Sequence, residues 1–144
     1  MNYNNKDLIK KAKDYLNQIY YLRQDIENNE QELEFITARI NKCTSVLDGM
    51  PKAKKVYYDD ALAEYSDLSR EIREAISNYK EKKNSIEASI LLLENRKLQD
   101  ILIKKYINNN TFEEIANLIN ISDRHVGRLH SKALLLLGEK KGWL

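Results

Sequence analysis

The sequence predicts an all-α protein: a long N-terminal antiparallel coiled-coil hairpin over residues 1–95, bending at 48–52, followed by a small helical domain over residues 96–144. Three observations predict it. A single Pro and four Gly in 144 residues leave few places for turns, and the chain is rich in Leu, Lys, Glu and Ile, which favour helix. A seven-residue apolar repeat runs through the first half. Two helix-start signatures stand close together near the C-terminus.

The repeat places Ala12, Ile19, Ile26, Leu33, Ile40 and Leu47 at one heptad position and Leu8, Tyr15, Leu22, Asn29, Ile36 and Cys43 at the interleaved one. Such a pattern specifies a coiled-coil seam. A helix over residues 5–47 would be on the order of 60 Å long at about 1.5 Å per residue, too long to bury in a compact globule. Asn29 is the one polar core position. It either sets register and strand number or is a surface-leaning amide. Asp48-Gly49-Met50-Pro51 ends this helix, because Gly suits a C-terminal cap and Pro cannot continue the hydrogen-bond ladder. A second helix is expected to start between Ala53 and Asp59, with core positions Tyr58, Leu62, Tyr65, Ile72, Ile76, Tyr79, Ile86, Ile90 and Leu93, interrupted at Ser69 and Lys83. Two long helices cover little of each other's apolar stripe. A homodimer would bury the leftover tyrosines and Leu68, with an intramolecular three-helix packing as the alternative. No Gly- or Pro-rich linker separates Leu93 from Leu98, so this helix is expected to run straight, or through a kink near Glu94–Arg96, into the next domain.

In that domain Thr111 followed by Glu114 is a capping box, in which each side chain satisfies a backbone donor freed at the helix start. The inward face of the helix reads Phe112, Ile115, Ala116 and Ile119. After the polar turn Asn120–Ser122, Ser122 caps a further helix with buried spacing Val126, Leu129, Ala133 and Leu137. Arg124, His125, Arg128 and Lys132 fall on its other side. Two short amphipathic helices around a tight turn form a helix-turn-helix, whose second helix enters the major groove of double-stranded DNA.

Charge agrees. Of the net +2, residues 96–144 carry nine Lys and Arg against five Asp and Glu, a local +4, whereas the first 95 residues carry 15 against 17. A basic module on a near-neutral body suits a chain of which one end meets phosphate. Cys43 is the only cysteine, so no internal disulfide forms and a reducing cytoplasm is expected. No apolar run approaches the roughly 18 residues that span a bilayer, and the first residues have no signal-peptide core. No membrane partner is expected.

The stretch from Thr111 to Val126, running on into His130-Ser131-Lys132-Ala133-Leu134, resembles region four of bacterial sigma factors, which reads the promoter's upstream element. A second resemblance covers nearly the whole chain. Residues 12–16, Cys43 to Leu47, Met50-Pro51, residues 105–107 and Val126 to Leu134 fall in the order seen in small phage and prophage proteins of low-GC Gram-positive bacteria, which are similar to the RinA and ArpU late-gene regulators. These resemblances imply a phage-encoded transcription regulator, an activator of late or packaging genes, at work in the cytoplasm of the bacterial host.

Arg124 and Arg128, one turn apart, are the candidates for reading base edges, since a guanidinium reaches guanine O6 and N7 with two hydrogen bonds. In the sigma-like alignment both fall at base-reading positions. The competing reading is solvated arginines or ion pairs with Asp123 and Glu114. His125 is a further phosphate or base-edge donor, and His130 is expected at the helix rim. Thr111, Ser122, Lys132, Lys104 and Lys105 are candidate phosphate contacts, the first two because helix N-termini favour anions. Asp123 and Gly127 depart from the sigma pattern, so the usual sigma target is not expected. Gly127 costs about 1 kcal/mol of helix stability against Ala; either backbone must approach DNA there or the change is drift.

Leu134–Leu137 exceeds what one helix face buries in a three-helix module. With Trp143-Leu144 it predicts docking against the coiled coil, against a dimer mate or against RNA polymerase, the internal contact being the simplest. His125 and His130 are five residues apart with no completing ligands, so no metal is expected. There is no phosphate loop and no nucleophile with a matching base, so neither a cofactor nor an enzyme is expected. Two other functional classes stay open: the DNA-recognition small subunit of a phage packaging terminase, which forms rings, and a sigma-like module that binds RNA polymerase and not DNA.

Overall fold

The computed structural model describes residues 5–44 and 51–143. Among them every regular element is helical: α1 (Asn5–Thr44), α2 (Lys52–Ile90), α3 (Arg96–Leu102), a π-helical turn (Ile103–Ile107), α4 (Phe112–Ile119) and α5 (Asp123–Lys140). The fold is the expected one, with two long helices packed against each other and a small helical domain after them. Leu47 and the bend at Asp48–Met50 lie outside the described residues; α2 begins directly after Pro51, one residue earlier than the expected window.

Two compact units make up the chain. One joins α1 as far as Tyr21 to everything from Lys80 onward, and the other is Leu22–Tyr79. The helical break near residue 95 is present, but compactness divides the long helices themselves, so that the ends of both belong with the small C-terminal helices.

In the unit Leu22–Tyr79 the seam is Ile36, Leu68 and Ile72, with Leu33, Ile40 and Ile76 packed around them. Antiparallel pairing shows in Arg23, which donates to the Tyr79 hydroxyl at 2.8 Å, and in Arg39, which meets Glu64 at 2.6 Å while lying over the Tyr57 ring. Ile72, Ile86, Ile90 and Leu93 are buried as expected, and α2 departs from expectation only in its first part. Ala61 is fully buried, whereas Leu62 and Tyr65 are 39% and 40% exposed. Ala61 is small enough for helix axes to approach, and rotation about that contact turns Leu68 inward and Tyr65, whose hydroxyl prefers water, outward. Leu68 is therefore not left over for a dimer. Asn29 is half-buried.

The other unit holds the larger core. On α1, Leu8, Ala12, Leu16 and Ile19 are buried, and α2 adds Ile86, Ser89, Ile90 and Leu93. Leu16 stands outside the heptad positions, and its burial widens the apolar stripe enough to face more than one partner helix. Ser89 donates to the Ser85 carbonyl. The Tyr15 hydroxyl, 2.7 Å from Ser89 Oγ, is thereby left to donate.

α2 does not run into α3. Residues 91–95 form a turn, Asn95 caps α3 by accepting from the Lys97 and Leu98 amides, and the Gln99 side chain donates to the Leu93 carbonyl. An Asx cap competes well with continued helix at such a position. The π-helical turn follows, with Asn108 N–H bonded to the Ile103 carbonyl. Five-residue spacing keeps Tyr106 and Ile107 on the inward side already occupied by Ile101 and Leu102, and all four are buried.

The leucine run at the end of α5 finds its partner inside the chain. Leu134 and Leu137 are fully buried and Leu135 and Leu136 half-buried. At Gly138 an added Cβ would lie 2.5 Å from Leu8 Cδ1. Beyond the helix, Trp143 meets the Tyr15 ring edge-on at 5.1 Å, and the Lys141 ammonium lies over that ring.

Gly138 is thus a close-approach position. Replacing it with Ala should raise helix propensity by roughly 1 kcal/mol yet destabilise overall, since overpacking costs about 1–3 kcal/mol. In denaturant melts, Leu8→Ala in the Gly138→Ala background should cost less than Leu8→Ala alone. Strict additivity would contradict the contact.

Candidate nucleic-acid interface

The helix-turn-helix is assembled from α3, the π turn, α4 and α5. Its core is Ile101, Ile115, Ala116 and Val126, with Phe112, Ile119, Ile121 and Leu129 packed against it. Thr111 starts α4, its hydroxyl accepting from the Glu114 amide at 3.1 Å. The expected capping box is half made: the Glu114 carboxylate accepts from the Thr111 hydroxyl at 3.3 Å. At the far end Asn120 adopts the left-handed conformation with φ 56°, which Asn tolerates better than most residues. Its N–H and that of Ile121 both bond to the Ala116 carbonyl. Ser122 then caps α5, accepting from the His125 amide at 3.2 Å. Asn120 and Ser122 thereby turn the chain sharply, and small Ala116 lets the two helices cross.

This geometry gives α5 one buried and one open side. Arg124, Arg128 and Lys132 are exposed at four-residue intervals, His125 is half-buried beside them, and Ser122 is exposed at the start. Thr111 is exposed at the start of α4, apart from the α5 row. Among the described residues neither Arg124 nor Arg128 has an ion-pair partner; Asp123 and Glu114 do not take that role. Each guanidinium keeps five donors. Gly127 has nothing within 4 Å of where a Cβ would stand, so packing does not require it. Lys104 is paired with Asp100 at 2.7 Å, which weakens it as a phosphate contact. Lys105 lies over the Phe112 ring at 4.9 Å.

Compared with protein-family models, with curated proteins and with solved structures, the chain matches none.

His130 is the residue the sequence misplaces. It is 4% exposed, not at a rim, with Nε2 2.7 Å from the Tyr106 hydroxyl. Its ring stacks on Tyr106 and takes Phe112 edge-on at 4.9 Å. The signal that could have found it is its spacing: four residues after Val126 and three before Ala133 puts it on the buried face. Burial, with Lys13 and Lys105 nearby, lowers its pKa from 6.5 to about 4. Burial raises that of Tyr106. Both therefore stay neutral and share one hydrogen bond between the π turn and α5.

The sign of the pH dependence follows. Between the unfolded value of 6.5 and the folded value of about 4, the unfolded chain binds a proton that the folded chain excludes. The His130 contribution is intact above pH 6.5 and is lost as pH falls towards 4, by up to roughly 3 kcal/mol at about 1.4 kcal/mol per unit. His130→Gln keeps a polar partner for Tyr106 without titrating. Its melting temperature should fall less than that of the parent chain on acidification over this window; parallel profiles would contradict the burial argument.

Proposed function

We propose that this chain is a phage-encoded, sequence-specific DNA-binding transcription regulator that acts as a dimer in the cytoplasm of its bacterial host, without enzymatic activity. One observation carries the reading. Two arginines without carboxylate partners among the described residues stand one turn apart on the open side and near the start of a helix that is anchored by the rest of its module. A buried anchor with free guanidinium groups beside it suits base readout, where geometry within hydrogen-bond reach decides specificity. His125, Lys132 and the capped helix starts at Ser122 and Thr111 supply phosphate contacts that set register on the duplex. The module's +4 supports the same reading.

Dimerisation is supported by apolar side chains left open on the hairpin unit, Phe35, Leu62 and Tyr65 among them. Activation of late or packaging genes follows from the resemblance to RinA- and ArpU-like regulators, and contact with host RNA polymerase from the resemblance to sigma region four. No helix of the described residues is long and apolar enough to cross a membrane.

Binding to fragments of the source genome tests the reading. Affinity should fall by roughly 10³-fold or more between about 50 and 200 mM salt if six or more phosphates are neutralised. One upstream fragment should be enriched, and the Arg124→Ala/Arg128→Ala variant should lose that preference, each arginine supplying about 1–3 kcal/mol of discrimination. Binding indifferent to both salt and the arginines would mean a protein-binding module and direct the search to polymerase. Rings of eight or nine subunits in solution would indicate a packaging subunit.

A further inference from the structure

On the unit that carries the helix-turn-helix, a groove of 310 Å³ is lined by Asn17, Tyr20 and Tyr21 of α1, Lys105 and Tyr106 of the π turn, and Asn109. None of these residues is acidic. Every one carries a side-chain hydrogen-bond donor, although that of Tyr106 is engaged with His130. The groove on the hairpin unit has the opposite character, with Glu32, Glu64, Asp67 and Glu71 in its lining.

Lys105 gives the groove its charge. Its neighbour Lys104 is neutralised by Asp100, whereas Lys105 has no carboxylate partner among the described residues and is steadied by the Phe112 ring. Asn109 holds a left-handed conformation with φ 58° and stands two residues before Thr111, the cap of α4. Tyr20 and Tyr21 are 43% and 64% exposed, and their rings meet edge to face at 5.5 Å. Tyrosines so placed offer hydroxyl donors and an apolar flank to a sugar. In a docked helix-turn-helix the first helix crosses the nucleic-acid backbone, so the start of α4 and the residues before it are where phosphates pass.

We propose that this groove is a second DNA-binding site, separate from the recognition helix, that grips the phosphodiester backbone through the Lys105 ammonium and the Tyr20, Tyr21, Asn17 and Asn109 side chains. It rests on the DNA-binding reading above and adds α1 to the footprint. The recognition helix reads bases; the groove holds the backbone and adds affinity without sequence preference.

The test is a salt series on the whole chain with its preferred fragment and with an unrelated one, using Lys105→Met, which removes the ammonium and keeps a side chain of similar length, and Tyr21→Ser, at a position 64% exposed. Lys105→Met should weaken both fragments by the same factor, roughly tenfold for a lost charge-assisted contact. The slope of log affinity against log salt should become shallower by about one. Tyr21→Ser should weaken both fragments equally, and the ratio between fragments should persist. Wild-type affinity in both variants at every salt, while Arg124→Ala/Arg128→Ala loses its operator, overturns the groove and leaves the regulator reading standing. If the arginine pair is also silent, that reading fails and the groove fails with it. Inorganic phosphate at constant ionic strength supplies the last arm. Perturbation of tyrosine fluorescence by phosphate, lost in Lys105→Met with no change in DNA affinity, would assign the groove to a free phosphate ligand and overturn the DNA proposal.

Discussion

The burial of the second half of α5 is the constraint on which the small C-terminal helices depend. The cluster of four buried residues shared by α3, α4 and the start of α5 reaches only the first turn of that 18-residue helix. The remaining hold comes from Leu134, Leu137 and Gly138, all buried, with Gly138 close enough to Leu8 that no side chain fits between. Each buried leucine contributes about 1.5–3 kcal/mol, comparable with a sizeable fraction of a small domain's net stability. Trp143 on Tyr15 extends the contact past the helix end. The first half of α5 can then leave its arginines in water because its second half holds the helix in place.

Among the described residues of the same unit no buried side-chain polar atom is left without a partner, and this makes the helix position specific. The Tyr106–His130 pair joins the π turn to α5 with a directional bond that an apolar pair would lack, and a misplaced α5 would strand both groups without partners. The π turn is needed for this pair. Without its wider spacing, Tyr106 and Ile107 could not both face inward below Ile101 and Leu102. It also separates Lys104, which folds onto Asp100, from Lys105, which lies over Phe112.

Helical class, the two long helices, both caps of the helix-turn-helix and the inward faces of α4 and α5 were legible because periodicity and capping are local signals. The phase of the first part of α2 was not: Ala61 and Leu62 are adjacent, and only the packing partner decides which turns inward. The break before α3 is expected only as a kink near Glu94–Arg96 beside a straight run, because Asn95, an Asx cap, is a weaker mark than Gly or Pro. His130 is expected at the rim, although its spacing fits the buried face; what reverses the expectation is Tyr106, 24 residues away. The Gly138–Leu8 contact spans the whole chain, and no sequence pattern marks such a pair. Arg124 and Arg128 were legible as exposed, and their lack of carboxylate partners among the described residues became visible only in three dimensions.

Native-state hydrogen exchange on the intact chain tests most directly whether α5 is held by the long-helix ends. The account predicts that amides around Leu8–Ile19, Ile86–Ile90 and Val126–Leu137 share one opening free energy and respond together to denaturant, as a single cooperative unit. If α4 and α5 opened at markedly lower free energy while the α1 and α2 segments stayed protected, the module would be an independent attachment, and the claim that α5 is positioned by α1 would be contradicted.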